Sequence, residues 1–163
     1  MSKTILFVFL VAVVGFLGLN IWKAHAQDKS SKAFPVQKTD AEWKQQLSPE
    51  AYRVLRHHDT ERPNTSPLDK VKAKGEFFCA GCGHLLFLSE NKFDSGTGWP
   101  SFYQPANDQA IGRRTDYKMV VPRTEVHCAR CGGHLGHVFG DGPKPTGKRY
   151  CINGVSLEFK KSE

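Results

Sequence analysis

The stretches Cys79-Ala80-Gly81-Cys82 and Cys128-Ala129-Arg130-Cys131 repeat one pattern, in which two cysteines are separated by two residues. This spacing lets both sulfurs of a pair face one ion from a tight turn, and four thiolates complete a tetrahedral zinc site. A zinc ion with four cysteine ligands has no open position, so we predict one structural Zn2+ per chain that stabilises the fold. Two disulfides, or a redox-active Cys-x-x-Cys pair, are the alternatives.

The sequence around these motifs predicts a mainly β domain of the α+β class. From Gly75 onward, glycine and proline turns separate short apolar or alternating runs that are typical of strands. The runs are Phe77-Phe78, Leu85–Leu88, residues 117–121, and Val155 with Leu157 and Phe159. Before them, Asp40 is expected to cap a short helix through Leu47. Ser48 and Pro49 then open a second helix that continues to about Arg56.

The N-terminus has the composition of an export or anchor segment. Residues 5–22 form an almost unbroken apolar run, and Ala24-His25-Ala26 has the small-x-small form of a signal peptidase site. We therefore interpret residues 1–26 as a signal peptide or N-terminal membrane anchor, residues 27–38 as a polar linker, and residues 39–163 as the domain. This organisation predicts a protein outside the cytoplasm, exported (periplasmic or secretory) or anchored in a membrane by the N-terminal segment. Fractionation of cells would test that expectation.

The charge pattern argues against a nucleic-acid partner. The formal net charge is +7, and the basic residues are spread along the chain in doublets such as Arg113-Arg114 and Lys160-Lys161. A nucleic-acid interface needs a clustered basic patch with aromatic residues. The alternative from another class is an exported zinc-ribbon binding module without catalysis, which would have such clustering and would not need Cys151.

Cys151 is the cysteine left over when four of the five are assigned to zinc. Arg149 lies two residues before it, on the same face of a strand, and a nearby guanidinium favours the thiolate. His134 and His137 lie three residues apart in a glycine-rich segment, and imidazoles near a thiolate can donate protons near neutral pH. We therefore interpret Cys151 as a reactive thiol and not as an inert buried one.

Long stretches of the chain resemble the MsrB family of methionine-R-sulfoxide reductases. Residues 125–143 read EVHCARCGGHLGHVFGDGP and residues 146–159 read TGKRYCINGVSLEF, which together are similar to the family signature. Residues 94–102 (DSGTGWPSF) and residues 43–68 resemble its other motif and its N-terminal region. The resemblance implies two antiparallel β-sheets, with short N-terminal helices and with the zinc site away from the catalytic face.

The resemblance also implies an activity and roles for individual residues. Cys151 matches the nucleophile, and Trp99 matches the ring that receives the methyl group on the substrate sulfur. His134, His137 and Asn153 match the polar groups around the sulfoxide oxygen. The implied enzyme is a peptide-methionine (R)-S-oxide reductase, which converts R-sulfoxide in proteins, peptides or the free amino acid to methionine through a sulfenic acid on the nucleophile.

Arg149 and Asp141 match family residues that shape the electrostatics of the thiolate and hold the histidines. Simpler roles remain open for several positions: Trp99 as a core residue, Asp141 as a turn former, and Asn153 as a turn residue before a glycine. The chain departs from part of the family at Thr97, where some members carry a second, resolving cysteine. We therefore expect an external thiol or a thioredoxin-like partner to regenerate the enzyme.

Overall fold

Two short helices precede the sheets in the computed structural model, which describes residues 33–162. Helix α1 is Asp40–Gln46 and helix α2 is Pro49–His57. Thr39 caps α1, because its side chain accepts from the Glu42 amide and the Glu42 carboxylate accepts from the Thr39 amide. Ser48 caps α2 as the sequence indicates. The expectation of Asp40 as the cap of α1 is therefore wrong by one residue.

Within residues 33–162, nine strands form two antiparallel sheets, as the resemblance implies. The strands are β1 (Gly75–Cys79), β2 (Leu85–Leu88), β3 (Lys92–Phe93), β4 (Ser101–Phe102), β5 (Ile111–Asp116), β6 (Arg123–Cys128), β7 (His134–Phe139), β8 (Arg149–Ile152) and β9 (Leu157–Lys161). The smaller sheet has the order β2-β1-β9, and the larger one has the order β3-β4-β8-β7-β6-β5. The predicted mainly β fold class with short N-terminal helices is confirmed.

The core lies between the two sheets and is built mainly from aromatic rings. Phe77 on β1 and Phe87 on β2 pack against Phe102 on β4, with ring centroids 5.0 and 4.3 Å apart. All three side chains are fully buried. Burying one such ring stabilises the fold by roughly 1.5–3 kcal/mol. These contacts therefore hold the smaller sheet against the part of the larger sheet that neighbours β8.

A bulge in β7 places two histidines on one side of the larger sheet. The β6–β7 register shifts so that Gly136 pairs with Val126 but His134 pairs with His127, which leaves Leu135 as the extra residue. Residues three apart in a regular strand face opposite sides, and one extra residue reverses that alternation. The rings of His134 and His137 are accordingly neighbours, with centroids 5.4 Å apart.

Two expectations about strands need correction. Residues 117–121 are not a strand but an exposed loop, because β5 ends at Asp116, whose carboxylate accepts from the Lys118 amide in a tight turn. Val155 lies in a 3-10 turn (Gly154–Ser156), so the final strand begins only at Leu157. None of the helices within residues 33–162 is long and apolar enough to span a membrane. The predicted export segment and residues 27–32 of the predicted linker lie outside the described residues.

Candidate metal centre and active site

The four cysteines of the two Cys-x-x-Cys motifs come together in one cluster. Their sulfurs all lie within 4.8 Å of one another, with Sγ–Sγ distances of 3.7 Å for Cys79–Cys131 and 3.6 Å for Cys82–Cys128. Tetrahedral zinc with bonds of about 2.3 Å separates its sulfur ligands by about 3.8 Å, whereas a disulfide bond is about 2.05 Å long. All five cysteines of the chain are free. The cluster therefore fits a tetrahedral metal site and does not contain the disulfides considered above.

The chemistry of the four thiols also fits a bound dication. Hydrogen bonds with Cys128 and Cys131 raise the pKa of Cys79, whereas the corresponding contacts lower the pKa of Cys82. Deprotonation of some thiols in the cluster is thus favoured while others hold their protons more tightly, when no cation balances the charge. A dication would allow all four to exist as thiolates.

Each cysteine pair lies in a turn between two antiparallel strands. The Gly83 amide donates to the Cys79 carbonyl in the turn from β1 to β2, and the Gly132 amide donates to the Cys128 carbonyl in the turn from β6 to β7. Both glycines have positive φ, +66° and +70°, a conformation that other residues rarely adopt. Because β1 and β6 belong to different sheets, the cysteine cluster connects the two sheets.

The two helices pack over these turns. The Gln46 side-chain amide at the end of α1 donates to the Gly81 carbonyl at 2.7 Å. The Arg56 guanidinium on α2 donates to the Cys131 carbonyl at 3.1 Å. Each helix therefore contacts a different Cys-x-x-Cys turn, and the N-terminal region closes the cysteine cluster from one side.

Cys151 occupies the middle of a row of residues that crosses the larger sheet. It pairs with His137 on β7 and with Ser101 on β4. His137 in turn pairs with Glu125 on β6, and Glu125 pairs with Arg114 on β5. Residues directly opposite one another in antiparallel strands share a face. The sheet therefore presents a thiol, an imidazole, a carboxylate and a guanidinium on one surface.

A cavity of about 130 Å³ opens at Cys151. The cavity is lined by residues that are far apart in the sequence, namely Thr60, Trp99, Arg123, His137, Phe139, Cys151 and Asn153. The structure thus brings together four of the residues selected from the sequence, namely Cys151, His137, Asn153 and Trp99. His134 lies directly behind His137, whereas Arg149 and Asp141 stand outside the lining of the cavity.

The environment of Cys151 combines burial with hydroxyl groups. Thr97 Oγ1 lies 3.9 Å from the sulfur, and Ser95 Oγ is 2.8 Å from both Thr97 Oγ1 and Ser101 Oγ. Burial raises the pKa of the Cys151 thiol, while the hydrogen bond with Thr97 and the charge of Arg149 lower it. Arg149 therefore favours the thiolate as expected from the sequence, but burial outweighs it in the substrate-free protein.

Carboxylates on β6 and β5 hold the two histidines of β7. His134 Nδ1 lies 2.7 Å from the Glu125 carboxylate, and His137 Nε2 lies 2.8 Å from Asp116. Burial alone would raise the pKa of Glu125, but hydrogen bonds from His134 and Arg114 bring it below its ordinary value. Burial lowers the pKa of His137, and the hydrogen bond with Asp116 acts in the opposite direction. Glu125 and Asp116 were not identified from the sequence, because their partners lie on other strands.

Asp141 has a different partner from the one that the resemblance implies. Its two oxygens accept from Nε and a terminal nitrogen of Arg149 at 3.0 and 2.8 Å. The guanidinium of Arg149 also lies over the Phe139 ring, 4.5 Å from the centroid. Asp141 therefore orients Arg149 beside the cavity, and the histidines are held by Glu125 and Asp116 instead.

Glu61 is a further site residue that sequence reasoning missed. Its amide donates to the Asn153 side chain at 3.0 Å, and its carbonyl accepts from the Trp99 indole at 3.2 Å. Its buried carboxylate accepts from the amides of Gly154 and Val155 at 2.7 and 2.9 Å. Glu61 thus fixes two walls of the Cys151 cavity. It lies far from all of these partners in sequence, so no local motif could have revealed it.

A second group of potential metal ligands is formed by His58, Glu125 and His134, whose ligand atoms lie within 4.8 Å of one another. Arg114 donates to both carboxylate oxygens of Glu125. The negative charge of this group is therefore already balanced by a guanidinium. Its geometry is better explained as the support of His134 than as a metal site.

The fold and this site define a SelR-domain protein, because residues 47–161 match the SelR domain. This chain matches nearly the whole length of curated relatives that are named peptide methionine sulfoxide reductase MsrB. The protein from Leptospira interrogans (serogroup Icterohaemorrhagiae, serovar Lai) is 52% identical over 78% of this chain and 98% of its own. The protein from Thiobacillus denitrificans is 58% identical over 75% of this chain and 92% of its own length. The protein from Agrobacterium fabrum is 54% identical over 77% of this chain and 93% of its own length.

The chain belongs to the MsrB family of methionine sulfoxide reductases. The resemblance stated from the sequence is therefore confirmed. The alternative interpretation, an exported zinc-ribbon module without catalysis, gains no support from these comparisons.

The raised pKa of Cys151 predicts how its reactivity depends on pH. Alkylation of Cys151 by iodoacetamide should follow a titration whose midpoint lies above that of an ordinary cysteine, since burial disfavours the thiolate. Thr97→Ala should move the midpoint higher still, because it removes a hydrogen bond to the sulfur, whereas Thr65→Ala on the surface should not move it. Mass spectrometry of the Cys151 peptide across pH measures this. A wild-type midpoint at or below the ordinary cysteine value would contradict the account.

Proposed function

We propose that the protein reduces methionine R-sulfoxide, in proteins, peptides or as the free amino acid, with Cys151 as the nucleophile. The observation that carries the proposal is the cavity in which Cys151, His137 and Trp99 converge. Membership of the MsrB family supports the reductase activity. The stereochemical preference and the individual steps are inferences from the chemistry of these side chains.

The reaction transfers one oxygen atom to the cysteine. The Cys151 thiolate attacks the sulfoxide sulfur and forms a bond to it, while the sulfoxide oxygen takes up a proton. The protonated oxygen then moves from the methionine sulfur to the Cys151 sulfur as the bond between the two sulfurs breaks, which releases methionine and leaves Cys151 as a sulfenic acid. Sulfur in the substrate is reduced by two electrons, and sulfur in Cys151 is oxidised by two. An imidazolium is a suitable proton donor for the oxygen, and His137 lies opposite Cys151 in the sheet.

The pKa directions agree with a proton transfer that occurs when substrate binds. Burial raises the pKa of Cys151 and lowers that of His137, so the substrate-free pair favours a neutral thiol and a neutral imidazole. Transfer of the thiol proton to the imidazole creates both the nucleophile and the donor in one step. Asp116 would stabilise the imidazolium that forms, because it already lies 2.8 Å from His137 Nε2.

Selectivity for the R epimer would come from the two different sides of the cavity. The indole ring of Trp99 offers an apolar surface to the methyl group, while the His137 imidazole and the Asn153 amide offer polar groups to the oxygen. Only one configuration at sulfur satisfies both sides while the sulfur itself faces Cys151. The other epimer would place its oxygen against the indole, which leaves a polar group without a partner.

Reduction of the separate epimers tests this function. With dithiothreitol as reductant, wild-type protein should reduce methionine R-sulfoxide and leave the S epimer unchanged. Cys151→Ser should abolish the reaction, since a hydroxyl cannot replace the thiolate, while circular dichroism and metal content stay the same. Substantial activity in Cys151→Ser would refute the role of this cysteine, and equal turnover of the epimers would refute the role of the cavity walls.

We further infer that Cys79, Cys82, Cys128 and Cys131 hold one Zn2+ ion per chain. Zinc would balance the charge of the four thiolates and connect the turns of the two sheets. Cys128→Ser should lose both the metal and thermal stability, whereas His84→Ala, which changes a neighbouring imidazole outside the cluster, should keep both. Elemental analysis and thermal denaturation measure these outcomes. A native protein without metal would overturn the assignment.

The reductant that regenerates the enzyme is inferred from Thr97. Its hydroxyl is the group beside Cys151 where some family members carry a cysteine. A first external thiol would attack the sulfenic acid and release water to give a mixed disulfide, and a second thiol would restore Cys151. A thioredoxin-like protein could supply both thiols.

Trapping experiments distinguish this external route from an internal one. One equivalent of substrate without reductant should leave a sulfenic acid on Cys151 that dimedone traps, with no new disulfide by mass. Thr97→Cys should instead form a disulfide with Cys151 after one turnover, because the two side chains are already close; Thr65→Cys is the matched control. A wild-type disulfide between Cys151 and one of the clustered cysteines would contradict both the external route and the zinc assignment.

A further inference from the structure

An apolar loop lies beside the candidate active site. The large apolar side chains that are exposed within residues 33–162 all belong to the β5–β6 loop, residues 117–122, and they are Tyr117, Met119, Val120 and Val121. Val120 is fully exposed and Tyr117 is 76% exposed. A contiguous group of exposed apolar side chains on a soluble domain typically marks an interaction surface. Packing of the fold alone does not explain why these four apolar side chains are exposed.

Polar contacts at the base of the loop fix its position. The Asp116 carboxylate accepts from the Lys118 amide at 2.9 Å and from the Arg123 guanidinium at 3.0 Å. These bonds connect the last residue of β5 to the first residue of β6. The same carboxylate contacts His137 Nε2. The Asp116 side chain thus holds both the base of the loop and His137, the proposed proton donor. The apolar side chains of the loop remain exposed to solvent.

The loop also borders a cavity that lies next to the cavity at Cys151. Tyr117 and Lys118 line a cavity of about 240 Å³, which shares Thr60, Arg123 and His137 with the smaller cavity at Cys151. The two cavities are therefore neighbours that meet at these three residues. A chain that places one side chain at Cys151 would pass these residues to reach the cavity beside the loop.

We propose that the β5–β6 loop binds apolar residues that flank an oxidised methionine in an unfolded polypeptide segment. The proposal rests on the reductase function proposed above and defines the substrate that its site would prefer. Methionine is usually buried among apolar neighbours, and its oxidation makes the side chain polar and disrupts such cores. Damaged polypeptides therefore present methionine sulfoxide together with exposed apolar residues. The position of the loop's cavity directly beside the cavity at Cys151 favours this occupant over a lipid surface.

The strand spacing indicates which flanking residues would reach the loop. Cys151 is on β8, and the loop joins β6 and β5, which lie two and three strands away. Neighbouring strands are about 4.8 Å apart, so the separation across the strands is roughly 10–14 Å. The loop begins after the Asp116–Arg123 pair, two residues or about 7 Å along the strands from the row of Cys151, which brings the separation to roughly 12–16 Å. An extended chain covers about 3.3–3.6 Å per residue, so the loop lies about four or five residues from the sulfoxide.

Two peptides and one short substrate test the proposal. The peptides carry methionine R-sulfoxide with either leucines or serines four and five residues away, and the short substrate is N-acetyl-methionine-R-sulfoxide methylamide. The double substitution Val120→Ser and Val121→Ser should raise KM for the leucine peptide about tenfold with little change in kcat, as expected for loss of an apolar contact. It should leave the serine peptide and the short substrate unchanged. Val120→Ile with Val121→Ile should retain wild-type values.

The outcomes separate this proposal from the reductase function. Unchanged kinetics of the serine variant with the leucine peptide, or an equal loss with all three substrates, would overturn the docking surface. If wild-type protein reduces none of the three substrates, the proposed function itself fails. Binding to vesicles of phosphatidylglycerol and phosphatidylcholine tests whether the loop contacts a lipid surface instead. Loss of vesicle binding in the serine variant with unchanged peptide kinetics would assign the loop to a lipid surface and refute the proposal.

Discussion

The contact of four cysteine sulfurs between two turns is the constraint on which the rest of this structure depends. One turn belongs to β1 and β2 in the smaller sheet, and the other joins β6 to β7 in the larger sheet. β7 begins three residues after Cys131 and carries His134 and His137. Both helices also bond to the cysteine turns. A cation bound there would fix how the sheets meet and where β7 starts, and so where its histidines lie relative to Cys151.

The row of residues around Cys151 depends on this placement, because each of its groups is supported by a neighbour. His137 lies between Cys151 and Glu125 in the pairing of β8, β7 and β6. Gly136 is required beside it, since a Cβ atom there would lie 2.1 Å from the Cys151 carbonyl oxygen. Burial disfavours both the thiolate of Cys151 and the imidazolium of His137 in the substrate-free protein. The substrate-free site thus favours a neutral thiol on Cys151 and a neutral imidazole on His137.

The parts that the sequence predicts are those encoded over short distances. The Cys-x-x-Cys spacing predicts the cysteine cluster, and the remaining cysteine identifies Cys151. Contacts between distant residues were missed, because Glu61, Asp116 and Glu125 act through partners on other segments. Alternation of apolar residues suggested a strand at 117–121, but that pattern does not distinguish a strand from an exposed apolar loop. The bulge at Leu135, which places both histidines on one side, has no clear sequence signal.

Hydrogen–deuterium exchange of the zinc-loaded protein before and after removal of the metal with a strong chelator tests the central role of the cysteine cluster most directly. If the metal sets the position of β7, removal should increase amide exchange in the turn after Cys79 and throughout His134–Phe139 together, because both turns lose the same anchor. The result that would contradict the account is increased exchange confined to the two cysteine turns, with β7 as protected as in the zinc-loaded protein.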